Sequence, residues 1–162
     1  MGKQNRARVT PLPLTVPYSV PRYRIGLVRE ASYETETPKI HDSASAAHAL
    51  RPVFEGLDRE QFVVACLDAK HAIIGVNVVS MGSLTLAIVH PREVFKPAIL
   101  LNAGALICAH NHPSGDPAPS PEDRLLTKRL REAGELLGIS LLDHVILGED
   151  RLFSFADQGW PC

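Results

Sequence analysis

The chain has 162 residues, 45% hydrophobic and 22% charged, which suits one globular domain and excludes an intrinsically disordered protein. No apolar run approaches the roughly 18 residues of a membrane span, and the N-terminus lacks the apolar core of a secretory signal, so we expect a cytoplasmic protein with no membrane partner. Residues 1–30 sum to +5 and the remainder to −6, and this acidic body disfavours nucleic acid as a partner.

The chain divides into a short arm and one domain. Four prolines within residues 1–22 block helix and central strand, so residues 1–24 are predicted to form a Pro-rich basic arm. Residues 25–162 are then a single domain. The three cysteines follow no metal or disulfide spacing, and we expect Cys66 and Cys108 to be small buried hydrophobes.

Apolar runs and capping signals predict a mixed α and β fold. Ser43 or Ser45 is expected to cap a helix that reaches about Phe54. A second begins at Pro91, with a kink or break at Pro97 and a stop at Gly104. A third, strongly amphipathic helix spans 120–138. The predicted strands are 23–28, 61–68, 72–80, 83–89, 105–110, 139–148 and 151–155.

The stretch HNHPSGDPAPSPED, residues 110–123, gathers side chains that bind metals. His110 and His112 are two residues apart at the end of a buried strand, so they point the same way if the strand continues through them. A stiff loop then leads to Asp123 in the first turn of a helix. Two imidazoles and one carboxylate form a ligand set suited to zinc, with a fourth position open for water, as in catalytic sites.

The same residues also have a purely structural interpretation. Ser120 is a natural N-cap, Pro121 suits the first helical position, and Asp123 completes a near capping box. Spacing alone therefore leaves a metal site and a simple helix cap about equally favoured.

The motif resembles that of the JAMM (JAB1/MPN/Mov34) metalloproteases, H-x-H, seven residues, then S-x-x-D, with His110, His112, Ser120 and Asp123 at the family's spacing. The text from HPREVF through LGISLLDHVILGED is similar to the RadC branch of that family, and the likeness covers about Leu57 to Phe155. It looks like a short form without the N-terminal helix-hairpin-helix region of many RadC-type chains. The resemblance implies a three-layer, cytidine-deaminase-like domain with a mixed sheet flanked by helices.

The resemblance also implies roles for individual residues. Zn²⁺ would be held by His110, His112 and Asp123, and Ser120 would hydrogen-bond the developing oxyanion. JAMM enzymes carry a glutamate on an early strand as general base; Glu60 is the best match here, and the alternatives are Glu55 and then Glu93. No spacing rule decides among them.

Two residues outside the motif have undecided roles. Asp143 and His144 lie in a later predicted strand, where either could support a metal ligand or make only a structural hydrogen bond. Asn111 is expected to point away from the metal on a strand period.

The predicted function is that of a zinc-dependent metalloprotease-like hydrolase of peptide or isopeptide bonds, with a peptide or protein as its partner. One alternative is a catalytically weak JAMM-like binding module. Another is a DNA-associated accessory protein that acts through the basic arm. Iron or cobalt would tolerate the same ligands, and the sequence leaves open whether the chain forms a homodimer.

Overall fold

The computed structural model describes residues 19–82 and 89–160. Three helices and five strands account for most of the regular structure in these two ranges. In chain order they are α1 (Ser43–Leu50, followed by a 3₁₀ turn at Arg51–Phe54), β1 (Gln61–Leu67), β2 (Ile73–Met81), α2 (Pro91–Leu100), β3 (Ala105–Asn111), α3 (Pro121–Leu137), β4 (Ser140–Leu147) and β5 (Leu152–Ser154).

The strands form one mixed sheet in the order β2-β1-β3-β4-β5. Strand β3 lies at the centre, antiparallel to β1 and parallel to β4, and the outer pairs β1–β2 and β4–β5 are antiparallel. The parallel pair needs a crossover, and α3 supplies it. All seven residues of β1 and all seven of β3 are buried, as expected for inner strands covered on both faces.

Helices cover the sheet on both sides and give three layers. Helix α1 packs on one face, where Leu50 contacts a core of alternate strand residues that includes Ile107. Helices α2 and α3 pack on the other face, where Phe95 and Leu130 meet Leu106 and neighbouring side chains. The predicted mixed α and β fold of JAMM/MPN type, with a mixed sheet between helices, is confirmed. His110 and His112 project from the face of the sheet that α2 and α3 cover.

The core strands and the long helix were predicted close to their observed bounds. Strands β1, β2, β3 and β4 and the β4–β5 hairpin are confirmed. Helix α3 begins at the expected cap, Ser120, and ends at Gly138, whose φ of 69° suits glycine. Cys66 and Cys108 are buried as expected, and burial raises the pKa of the Cys66 thiol to about 11.

The N-cap of α1 was predicted wrongly. Asp42, rather than Ser43 or Ser45, is the N-cap: its carboxylate accepts a hydrogen bond from the Ser45 backbone N–H, and the Ser45 hydroxyl closes a capping box. A carboxylate is at least as good a cap as a hydroxyl and also favours the positive end of the helix dipole. After Leu50 the chain tightens into the 3₁₀ turn, where Pro52 has no N–H to continue the α-helical bonding.

The strand predicted at 23–28 is also wrong. These residues form neither helix nor strand, and their apolar side chains are exposed, with Val28 at 85%. An apolar run becomes a strand only where a neighbouring strand satisfies its backbone, and none lies beside this one within the described ranges. Residues 83–88 of the strand predicted at 83–89, and most of the arm predicted at 1–24, lie outside the described residues.

Of the kink or break expected at Pro97, the break does not occur, because helix α2 continues through the proline. The helix is anchored to the core by Val94, Phe95 and Ala98 around the proline, and this packing compensates for the missing hydrogen bond. It ends at Leu100, before the predicted stop at Gly104. No helix in the described ranges is long and apolar enough to cross a membrane.

Candidate metal centre

Two histidines project from the end of the central strand. His110 is the sixth residue of β3 and is fully buried, whereas His112 follows the strand and is partly exposed. Their Nε2 atoms lie 3.1 Å apart, so the i and i+2 positions do point to the same side. The fully covered inner strand holds one imidazole in the core and presents the other at the rim.

The third ligand candidate comes from the start of α3. Asp123 Oδ1 lies 3.3 Å from His110 Nε2, and Asp123 Oδ2 lies 3.7 Å from His112 Nε2. The two histidines and this aspartate are brought together as the spacing predicted, with one possible ligand atom from each within 4.8 Å of the others. The loop between them returns the chain to the strand end within eleven residues of His112.

Ser120 caps the helix and orients the carboxylate. Its hydroxyl accepts from the Asp123 N–H at 3.1 Å, and its backbone N–H and hydroxyl both donate to Asp123 Oδ2, at 2.8 and 2.7 Å. The capping box and the metal-ligand arrangement are therefore both present. The two interpretations of this motif do not compete, because Oδ2 is held by the cap while Oδ1 faces His110.

The three ligand atoms fit a divalent metal in spacing and in chemistry. Tetrahedral zinc with bonds of about 2.0–2.1 Å separates its ligand atoms by roughly 3.3 Å. This is close to the 3.1 Å between the two Nε2 atoms and to the 3.3 Å between His110 Nε2 and Asp123 Oδ1. His112 Nδ1 lies 2.8 Å from the Asp116 carbonyl oxygen and must donate to it, so the neutral ring has its lone pair on Nε2. Lone pairs and a carboxylate that converge on one point favour a cation there.

Burial and charge set the protonation of the cluster. Burial lowers the pKa of His110 to about 4, although the Asp123 carboxylate opposes this. The pKa of Asp123 is held well below its usual value: burial acts against this, but the hydrogen bond with His112, the charge of His110 and the bonds from Ser120 outweigh it. The pKa of His112 is raised, mainly by its hydrogen bond with Asp123. The site thus keeps a neutral imidazole and an ionised carboxylate at neutral pH.

Glu60 lies just before β1, beside the histidines. Phe62 pairs with His110 at the end of the antiparallel β1–β3 ladder, so Glu60 lies two residues before this pair on one segment and His112 two residues after it on the other. The negative charge of Glu60 contributes to raising the pKa of His112. Glu60 is half-buried, and its carbonyl accepts from the Gly82 N–H at 2.8 Å.

The two alternative glutamates have other surroundings. Glu93 is in the first turn of α2, partly exposed to solvent and paired with Lys96 at 2.6 Å and Arg92 at 3.5 Å. Glu55 follows the 3₁₀ turn and is exposed at the rim of a cavity that also includes His112. The choice of Glu60 as general base stays a prediction.

Sequence reasoning left open the roles of Asp143 and His144, and the structure separates them. Asp143 accepts hydrogen bonds from the backbone of its neighbour and from Ser154 and Ala156, so it ties β4 to β5. His144 is fully buried, and its Nε2 lies 2.8 Å from His110 Nδ1. Only the parallel β3–β4 register brings it there, and no local pattern in the sequence could have shown this.

Asn111 points away from the cluster, as the strand period predicted. Its side-chain oxygen accepts from the Gln61 N–H at 2.8 Å, and its amide donates to the Arg59 carbonyl at 3.0 Å. It therefore fixes the approach to β1, the segment that carries Glu60.

A cavity of about 480 Å³ opens beside the cluster, with His112 in its wall. Arg51 donates from its guanidinium to the carbonyl oxygens of Gly148 and Glu149 at 3.2 and 2.8 Å. The remaining lining includes Phe54, Glu55, Leu57, Asn111, Ser114 and Leu147. The cavity is large enough to admit several residues of a peptide.

The fold and the site define a mixed-sheet domain whose central strand and following helix present an H-x-H and S-x-x-D motif. The chain belongs to the RadC-like JAB domain family, whose profile matches residues 40–160. The matched range includes all the motif residues.

Curated relatives carry the name UPF0758 protein. The one from Desulfitobacterium hafniense is 47% identical over 122 residues, which is 75% of this chain and 54% of the relative. The one from Shouchella clausii is 46% identical over 138 residues, 84% of this chain and 60% of the relative. The Thermotoga maritima protein is 52% identical over 103 residues, 64% of this chain and 46% of the relative. The chain thus matches about half the length of these relatives.

Proposed function

We propose that this protein is a zinc-dependent hydrolase of peptide or isopeptide bonds, of the JAMM type. The observation that carries the proposal is the convergence of two imidazole Nε2 atoms and one carboxylate, 3.1–3.7 Å apart, at the edge of a cavity. Membership of the RadC-like JAB domain family supports it.

His110, His112 and Asp123 would hold the metal. When bound, zinc supplies Lewis-acid chemistry, since it lowers the pKa of water toward about 7 and polarises a carbonyl. Three protein ligands leave a further position for water and substrate, as in catalytic rather than structural sites. Nitrogen and oxygen ligands of this kind also accept iron or cobalt, so zinc itself is part of the proposal.

Glu60 is proposed as the general base. From its place just before β1, where its charge acts on His112, its carboxylate would take a proton from the attacking water and deliver it to the departing amine. The amine leaves neutral, and the carboxylate is regenerated for the next cycle. A base that stands before β1, on the backbone fixed by Asn111, needs little rearrangement to act.

Ser120 is proposed to stabilise the oxyanion. Its hydroxyl proton, held by Asp123 Oδ2, can turn to an oxyanion by rotation about one bond. The backbone N–H of Ser120 meanwhile keeps Asp123 in place. A donor that turns to the oxyanion stabilises charge that develops in the transition state.

A peptide or protein segment is the proposed substrate, and the cavity beside His112 is the proposed place for it. The cytoplasm is the proposed compartment, because Cys66 and Cys108 are unpaired and buried, as is usual where thiols stay reduced.

The test is cleavage of a mixed library of peptides and lysine-branched isopeptides by zinc-loaded protein, read by mass spectrometry. We expect new chain ends with the wild type, loss on adding a chelator, and a fall of about 10²–10⁴-fold in rate for Glu60→Gln. Glu93→Gln is the matched control and should cleave normally, because that side chain is partly exposed and paired with Lys96, away from the cluster.

Two outcomes would contradict parts of this account. If Glu60→Gln cleaves normally and Glu55→Gln loses cleavage, Glu55 is the general base instead of Glu60. A zinc-loaded wild type that cleaves nothing in the library would favour the JAMM-like binding module.

A further inference from the structure

A chain of buried polar groups runs behind the metal cluster, away from the cavity. His110 Nδ1 lies 2.8 Å from His144 Nε2, and His144 Nδ1 lies 2.6 Å from the Thr127 hydroxyl. That hydroxyl lies 2.6 Å from the backbone carbonyl of Asp123. His110, His144 and Thr127 are each 0% exposed, so water does not complete their hydrogen bonding.

The chemistry of these groups fixes where each proton lies. A carbonyl can only accept, so the Thr127 hydroxyl proton points to Asp123, and the hydroxyl oxygen then accepts from His144 Nδ1–H. Complete burial favours a neutral imidazole, which has one N–H, so His144 Nε2 is an acceptor. His110 must therefore donate through Nδ1 and keep a lone pair on Nε2, the atom that faces Asp123.

The fold holds this series of hydrogen-bonded side chains in place. Thr127 lies four residues after Asp123, on the same side of α3, so one helix carries both a ligand candidate and the start of the chain. His144 is brought beside His110 by the parallel register that pairs it with Cys108. Phe155 stacks on the His144 ring with centroids 5.2 Å apart and planes at 17°, which restrains the plane of the imidazole.

We propose that His144 and Thr127 are positioning residues that hold His110 in the Nδ1-protonated tautomer, with its Nε2 lone pair aimed at the metal position. This series of hydrogen bonds begins at the backbone carbonyl of Asp123 and ends at the ring of His110. It therefore couples the orientation of α3 to that of β3. This inference deepens the proposed function and rests on it only for the identity of the metal.

Thr127→Val tests the proposal, because it keeps the branched shape and removes the hydroxyl. Thr127→Ser is the matched control that restores the hydroxyl. We expect the zinc dissociation constant, measured by chelator competition, to rise about 10–100-fold in Thr127→Val and to stay close to the wild-type value in Thr127→Ser. Urea unfolding of each variant identifies those that are folded. If Thr127→Val does not fold, the double variant Thr127→Val/His144→Phe replaces it. The double variant removes the Thr127 hydroxyl and the His144 ring nitrogens together, so neither of these two positions keeps a buried polar atom without a hydrogen-bond partner.

A second readout needs no metal and no activity. Long-range proton–nitrogen NMR on the metal-free protein reports which nitrogen of each histidine carries the proton, and we expect His110 to be protonated at Nδ1 in the wild type and in Thr127→Ser. An Nε2-protonated His110 in the wild type would overturn the proposal, as would unchanged zinc affinity and an unchanged tautomer in Thr127→Val or the double variant. A wild type that shows the expected tautomer but binds no zinc would refute the proposed function and leave this inference standing.

Discussion

The two carboxylate oxygens of Asp123 have different roles, one in the helix cap and one in the candidate metal centre. Oδ2 is held by the Ser120 backbone N–H and hydroxyl, and Oδ1 faces His110 across 3.3 Å. The cap does not turn the carboxylate away from the cluster, because it leaves Oδ1 facing the histidines. A helix cap thus orients a candidate metal ligand.

Ser120→Ala should separate these tasks. We expect a loss of about 1 kcal/mol in the free energy of unfolding from the missing cap, retained zinc, and a rate lower by about 10²–10³-fold from the missing oxyanion donor. Urea titration, metal analysis and the peptide-cleavage assay measure the three quantities.

The matched control is Asp42→Ala, which removes a similar capping box from α1. It should also weaken the fold but leave the cleavage rate unchanged. Full activity in Ser120→Ala would show that Ser120 is a cap alone.

The element that sets His112 is the loop between β3 and α3. Its backbone is joined to the β4–β5 turn: the His112 N–H donates to the Leu147 carbonyl at 2.9 Å, and the Glu149 N–H donates to the Gly115 carbonyl at 3.4 Å. Gly148 packs directly against that carbonyl, and a Cβ there would overlap it. Since His112 Nδ1 is held by the carbonyl of Asp116 in the same loop, a displaced loop would turn the imidazole.

Gly148→Ala is therefore expected to lower both stability and zinc affinity, the stability by about 1–3 kcal/mol as is usual for overpacking. The Cβ would also lie 3.0 Å from Pro117 Cδ, so the loop cannot yield easily on that side. Urea titration and chelator competition test this.

Gly104→Ala is the control, because its Cβ would meet Ala69 at an ordinary 3.5 Å. If Gly148→Ala keeps the zinc affinity of the wild type, the loop does not depend on this contact.

At the scale of the whole molecule, the three layers explain why the site lies where it does. The inner strand β3 is covered by α1 on one face and by α2 and α3 on the other, so His110 is buried without a loop to enclose it. The cavity opens where β3 ends, with Asn111 and His112 in its lining. A buried and a partly exposed imidazole on one strand follow from that boundary.

The sequence predicted much of this fold because its inner strands are continuous apolar runs and α3 has strong caps and a clear helical period. It failed at 23–28, since those six residues look like a strand but have no strand beside them within the described ranges. The cap at Asp42 was missed because three polar residues, Asp42, Ser43 and Ser45, can each serve, and only the backbone geometry selects one.

The candidate site was predictable where its residues are close in sequence and not where they are distant. His110, His112 and Asp123 share one motif, and the structure brings them together. His144 reaches the cluster only through the parallel pairing of β3 with β4, which a single sequence does not encode locally. The general base remains a prediction for the same reason, because Glu60 is fifty residues from the motif and its position depends on strand register.

The central claim is that the cluster binds a catalytic metal, and metal content measured by plasma mass spectrometry tests it most directly. We predict about one zinc per chain in the wild type and in His48→Ala, whose histidine is exposed on α1, and almost none in folded His112→Ala and Asp123→Ala. A wild type that holds no metal as purified, and takes up none when zinc is added, would contradict the claim and leave Ser120 and Asp123 as a helix cap.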